Sequence, residues 1–290
     1  MEIVDSQIHI WPPESRERPW VKGAQSYAHG GAMPVDQVVS EMDEAGVDRA
    51  VLVPPSWEGE RNDACIAAAR EFPQRFAVMG RLRLASRLSS TELKALVGIQ
   101  GLVGVRCTFR RPKAVAQLSN GVANWLWGAA EELGLPVAVY APGSSSKLRQ
   151  IAQTHPGLKL IVDHVGLPLD IKDEEMLAVV EQTCQLAVYP NVAVKVSCLP
   201  NNVSEGFPFL LAQEAVYKVI DAFGAARVFW GSDLSRLRCP YREVVALFRD
   251  ELIQLTQSER ELLLGRAIED YLNWPSTTSP TLGQSGNERN

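Results

Sequence analysis

The sequence predicts an α/β protein folded as one (β/α)8 barrel of the TIM type over residues 1–274. Three observations predict it. Eight short apolar runs alternate with helical patterns along about 270 residues, whereas a doubly wound sheet usually holds about five or six strands. No Gly-x-Gly-x-x-Gly and no phosphate loop follows any run, which removes the main signature of a nucleotide-binding sheet. Polar residues end most of the runs, and a barrel keeps its chemistry at the C-terminal ends of its strands.

The elements follow in order. Residues 3–9 form the first strand, on which period-two alternation sets Asp5, Gln7 and His9 on one face and Val4, Ile8 and Ile10 on the other. Three polar side chains in register on an apolar strand point to a site. A loop of about twenty residues rich in Pro, Arg and Gly comes next, too long for a plain connector. His29 within it is open to either a lid contact or a solvated loop position. A helix over 34–45 carries Val35, Val38, Val39 and Met42 at helical spacing and ends at Ala45-Gly46. Strand 2 covers 49–54, an alanine-rich helix covers 63–72 and stops near Pro73, and strand 3 covers 76–84. A helix around 91–96 leads to strand 4 at 102–107.

The second half keeps the rhythm. Helix 124–133 closes at Gly134 before strand 5 (136–141), helix 145–154 precedes strand 6 (158–164), and helix 176–186 precedes strand 7 (192–198). Helix 209–223 closes at Gly224 before strand 8 (227–232), and helices over 241–255 and 258–272 complete the set. The segment 275–290, rich in Ser, Thr and Gly, reads as a disordered C-terminal tail.

Composition bounds the function. With 46% hydrophobic residues in 290, the chain can bury a large core. Its net charge of −5 gives no basic footprint, so nucleic acid and anionic membrane are not expected partners. No run reaches ~18 apolar residues. Five cysteines with no Cys-x-x-Cys read as reduced thiols, and a cytoplasmic location is expected. Self-association into a homo-oligomer is left open.

Polar residues gather at the strand ends. Gln7 and His9 end strand 1, Ser56-Trp57 follow strand 2, and Arg81 and Arg83 share a face of strand 3. Arg106 ends strand 4, Tyr140 ends strand 5 and Asp163-His164 end strand 6. Lys195 and Ser197 lie on strand 7, and Ser232-Asp233 end strand 8. Of four histidines, only His9 and His164 stand at strand ends; His155, before Pro156, reads as a surface residue.

The stretches Asp5-Ser6-Gln7-Ile8-His9-Ile10-Trp11, Val162-Asp163-His164-Val165-Gly166, Val194-Lys195-Val196-Ser197 and Trp230-Gly231-Ser232-Asp233 carry a resemblance. Together with Ala45-Gly46-Val47-Asp48-Arg49-Ala50-Val51, they resemble the amidohydrolase-2 branch of the amidohydrolase superfamily. Within it the likeness is to the fuconolactonase and 2-pyrone-4,6-dicarboxylate lactonase group. The resemblance implies His-x-His on strand 1, a His on strand 6 and an Asp on strand 8, which correspond to His9, His164 and Asp233. Gln7 replaces the first His of the pair. Metal-dependent relatives end strand 5 in His, where this chain has Tyr140, and the metal-free pyrone lactonase is similar in having Tyr there. Gln7 departs from both.

A hydrolytic divalent site wants about three protein ligands plus a water, and an amide is a weak ligand for zinc. The expectation is therefore no cofactor and no metal; one divalent ion such as Zn or Mn is the alternative. Metal-free hydrolysis needs a base for water and donors toward the oxyanion. The expected activity is hydrolysis of a small lactone or activated cyclic ester. Asp233 would activate water, while His9, His164 and Gln7 polarise the carbonyl. Arg106, Tyr140, Ser56, Arg83 and Lys195 are the expected substrate-binding residues, Arg106 for a carboxylate. Lys195 is also open to a core ion pair with Asp233 or Asp5. Trp11, Trp20 and Trp57 are open to substrate contact or loop packing. The rival readings are a metal-dependent hydrolase or decarboxylase of the same branch, and a degenerate barrel that binds a small acid.

Overall fold

The apolar runs pair in chain order. The computed structural model describes residues 1–21, 31–275 and 277. Its strands are β1 (Val4–Ile8), β2 (Arg49–Leu52), β3 (Phe76–Gly80), β4 (Leu102–Thr108), β5 (Val137–Tyr140), β6 (Leu160–Val162), β7 (Val192–Ser197) and β8 (Val228–Gly231). All neighbours are parallel, in the order β1 to β8. Parallel strands in such a fold are covered on both faces, which is why these runs are rich in Val, Ile and Ala.

Helices α1 (Val35–Ala45), α2 (Asp63–Glu71), α3 (Ser90–Val97), α4 (Pro112–Ser119), α5 (Asn124–Glu132), α6 (Ser145–Thr154), α7 (Asp173–Cys184) and α8 (Leu210–Phe223) occupy the connections. Three short ones follow β8: α9 (Tyr241–Ala246), α10 (Gln257–Glu261) and α11 (Ala267–Leu272). Their apolar faces meet Leu52, Phe76, Val78, Val139, Val194 and Trp230 in one outer core. A separate inner layer holds Val4, Val51, Ala77, Ala138, Ile161, Ala193 and Phe229. Helix α11 brings Ile268 and Leu272 against that layer, and its Tyr271 reaches the carbonyls of Leu160 and Asn191 at the starts of β6 and β7. The barrel is thus plugged at its N-terminal end and open for chemistry at the other.

The seam between β8 and β1 is built differently. Asp233 donates its backbone N–H to Gln7 O at 2.9 Å. The Asp5 carboxylate accepts the backbone N–H of Ser232 (3.0 Å), that of Gln7 (2.9 Å) and the hydroxyl of Tyr241 on α9 (2.7 Å). Burial drives the Asp5 carboxyl up to about 6 against the pull of these hydrogen bonds.

Two expectations need correction. The register of β1 shifts between Asp5 and Ile8, and Val4 packs inside the barrel while Ile8 packs outside. The alternation slips by one residue, so Asp5 leaves the face that Gln7 and His9 share. Strand β3 stops at Gly80, which puts Arg81 and Arg83 in the following loop rather than on a strand face. Helix α4, started by Pro112, lies between strand 4 and the helix at 124, where the sequence predicts no element. His29, with the rest of residues 22–30 of the first loop, and nearly all of the tail lie outside the described residues. Among the described residues no helix is long and apolar enough to cross a membrane.

Candidate active site

The open end of the barrel carries two polar layers. The lower one is wholly inside. Lys195, fully buried on β7, lies 3.2 Å from Asp163 Oδ1 and donates to Gln7 Oε1 at 2.9 Å. Arg106 donates Nε–H to Asp163 Oδ2 at 2.8 Å. Burial alone would lift the Asp163 carboxyl, but the charges of Lys195 and Arg106 outweigh it and hold it at about 2. Gln7 and Lys195 are therefore not presented to substrate, against expectation. They are tied to each other, and Lys195 pairs with Asp163 rather than with Asp233 or Asp5.

The upper layer faces a cleft of about 630 Å³. His9 Nδ1 donates to Val53 O at 2.5 Å, which fixes the ring and turns Nε2 toward the cleft. That Nε2 lies 3.2 Å from Asp233 Oδ1 and 3.5 Å from the Gln7 amide nitrogen. His164 Nδ1 lies 2.8 Å from Ser197 Oγ, and its Nε2 is 4.0 Å from Asp233 Oδ2. Burial pulls the His164 imidazole down to about 4, so the ring is neutral at pH 7. In the tautomer in which the Ser197 hydroxyl donates to Nδ1, the ring proton sits on Nε2 and is a donor toward the cleft. Burial would raise the Asp233 carboxyl; the neighbouring His9 and His164 rings and Arg236, 3.8 Å away, hold it well below the ordinary carboxylate range. Its Oδ1 has no hydrogen-bond donor among the described residues.

Backbone conformation aims these groups. His164, Val165 and Asp233 all have φ between 53° and 55°, and Cys198 has φ 62°. A β-branched residue in that region is strained, and such strain gathers where strands must turn sharply to present side chains.

The remaining expected residues divide. Tyr140 lines the cleft, meets the His164 ring edge-to-face at 5.1 Å and donates its hydroxyl to Leu167 O at 2.9 Å. Ser56, Arg106 and Trp57 line the same wall. Trp11 and Trp20 pack edge-on against Trp57, so the three anchor one another, with Trp11 and Trp57 also facing the cleft. Arg83 is not brought in: its side chain is exposed and pairs with Glu60 at 3.4 Å. His155 is half-buried against Glu131 (3.0 Å), away from the cleft. The Cys107 thiol is pushed up to about 12 by burial, which leaves it a packing residue. Sequence reasoning missed Arg236, Arg110 and Arg111 on the rim; arginines in loops carry no periodic signal.

The donor set does not suit a tightly held divalent ion. The only oxygen of Gln7 that could ligate accepts the Lys195 ammonium, which adds positive charge beside the place a cation would take. His9, His164 and Asp233 come together there, but among the described residues no group of three or more His, Cys, Asp or Glu side chains is arranged to hold a metal ion.

Comparisons with known proteins come from sequence and from structure. The amidohydrolase family profile matches residues 4–273. Over 242 residues, 81% of each chain, the sequence is 27% identical to an L-fucono-1,5-lactonase of Burkholderia ambifaria. The fold matches a probable 2-pyrone-4,6-dicarboxylic acid hydrolase of Acinetobacter baumannii solved with citric acid bound (TM-score 0.74, 21% identity, 94% of this chain and 100% of the other). It also matches an amidohydrolase of Burkholderia multivorans with bound zinc (TM-score 0.78, 19% identity, 95% and 100%).

Proposed function

The chain belongs to the amidohydrolase family, and from that premise we propose that it hydrolyses a small lactone or similarly activated cyclic ester without a bound metal. The observation that carries this reading is Asp233, an ionised carboxylate in contact with two imidazoles at the floor of a cleft with a cationic rim. Its similarity to an L-fucono-1,5-lactonase supports the choice of a cyclic ester.

The steps follow from the geometry. A water molecule in the cleft loses its proton to Asp233 and attacks the ester carbonyl carbon. Charge developing on the carbonyl oxygen meets the N–H of His164 Nε2 and the positive field of Arg236. The ring C–O bond then breaks, and the proton held by Asp233 passes to the leaving oxygen, with His9 Nε2 beside it at 3.2 Å to relay it. Gln7 acts as a positioning residue for His9 and not as a donor to substrate. An Asp of depressed pKa is a weak base, which favours an enol or sugar lactone over an amide. Arg106 spends Nε–H on Asp163 and keeps its terminal N–H groups for a substrate carboxylate.

Elemental analysis of the purified protein, followed by a lactone panel with and without chelator, tests this. At least one lactone should be turned over at the same rate in chelator. Asp233→Asn should lower kcat by roughly a thousandfold or more while KM changes little. Stoichiometric zinc or manganese with chelator-sensitive turnover would overturn metal independence, and full activity in Asp233→Asn would remove the base.

A further inference from the structure

A second cavity of about 790 Å³ adjoins the catalytic cleft and shares a wall with it made by Ser56, Arg106, Thr108, Arg110 and Arg111. Its far side holds Arg81, and the residue is fixed on every side. Asn62 accepts the Arg81 backbone N–H at 2.7 Å and donates to the Arg81 carbonyl at 3.1 Å. The guanidinium donates Nε–H to Gly59 O at 2.9 Å and one terminal N–H to Thr108 Oγ1 at 3.3 Å. Both partners are neutral. Among the described residues no carboxylate lies within ion-pair distance of Arg81, and the single acidic residue lining the cavity, Glu60, pairs with Arg83.

A half-buried guanidinium clamped in place, without a counter-ion and beside further arginines, is costly to keep unless an anion comes to it. Burial above all, and next the charge of Arg106, pull Arg81 down to about 10 against the weaker opposing charge of Glu60. A fork already locked at its backbone and at two of its donors loses little freedom on binding, so its free N–H groups suit a planar carboxylate or a phosphoryl oxygen.

We propose that Arg81 is the centre of a second anion subsite, and that the lactone carries an anionic group on an extension reaching from the catalytic cleft across the shared wall to it. This proposal rests on the lactonase reading for the identity of the ligand, but the subsite itself is testable by binding alone.

The test is calorimetric titration of the whole protein with straight-chain α,ω-dicarboxylates from malonate to suberate, each against the monocarboxylate of equal length. One chain length should bind about tenfold or more tighter than its monocarboxylate, the scale of one charge-assisted hydrogen bond. Arg81→Gln should remove that advantage and leave monocarboxylate binding within about twofold. Arg81 also braces Gly59, so a second variant is needed: Gln117→Glu is nearly isosteric on the rim of the same cavity and should lower the dicarboxylate advantage by repulsion. Survival of the advantage in both variants, or no advantage at any chain length, would overturn the subsite. A lactone panel without turnover, with the dicarboxylate advantage present and Arg81-dependent, would instead remove the lactonase reading and leave the subsite standing.

Discussion

Lys195 shows at the scale of one side chain why the site is arranged as it is. Its ammonium is enclosed with the Asp163 carboxylate and the Gln7 amide, with no exposed surface. Lys195→Met leaves Asp163 buried with Arg106 as its only cation, and such half-broken buried pairs cost about 3 to 5 kcal/mol. Urea unfolding should show a loss of that order; a change below about 1 kcal/mol would mean the pair is not maintained. Gln7→His would set an imidazole against the ammonium, so it should not restore chelator-sensitive activity; gain of such activity would show that Lys195 yields the place to a cation. Asp233 is held below the ordinary carboxylate range and His164 takes a proton only near pH 4, so kcat/KM should stay level from pH 8 down to about 5. An inflection between pH 6 and 7 in the pH–rate profile would assign the base elsewhere. His9, His164 and Asp233 were legible in the sequence because each ends a strand and carries a chemistry that a core rarely needs. The tie from Gln7 to Lys195 was not, since it joins residues 188 apart whose meeting depends on barrel closure.

At the scale of elements, β1 and β8 set the geometry of the pair His9 and Asp233. Gly231 is where they come nearest: a Cβ there would lie 2.9 Å from Ser6 Oγ and 3.1 Å from Gln7 Cβ. Gly231→Ala should therefore cost about 1 to 3 kcal/mol by overpacking and lower kcat more than it raises KM, because the strand carrying His9 must shift. Steady-state kinetics that match the unmodified protein would show that β1 gives way without moving His9. The eight strands were readable as apolar runs, and so was their order. The slip within β1 was not, because a bulge leaves the residue types unchanged and alters only which way they point. Arg81 was misplaced for a related reason: apolar residues continue past Gly80, but the ladder does not.

For the whole molecule, buried groups pull stability in opposite directions as pH falls, with Glu269, raised to about 7 by burial, acting in the same sense as Asp5 against His164. The folded-state pKa of His164 is depressed from 6.5 to about 4, so the unfolded chain takes its proton first and stability declines from pH 6.5 toward 4. That of Asp5 is raised from 3.8 to about 6, so the folded chain takes its proton first and stability grows across nearly the same window. The effects of His164 and Asp5 are each on the order of 3 kcal/mol, and these two largely offset. In Asp5→Asn the Asp5 gain is removed: the gap in unfolding free energy from the unmodified protein should widen by about 2 to 3 kcal/mol between pH 6.5 and 4. A gap constant with pH would show that Asp5 does not titrate in that range.

The seam where β8 meets β1 has a consequence for how the enzyme comes into being. His9 leaves the ribosome early and Asp233 late, and a backbone hydrogen bond from Asp233 to Gln7 is what brings them to the same place. A growing chain can lay down seven strands without holding any catalytic pair, so synthesis that stalls before β8 yields no partly active product.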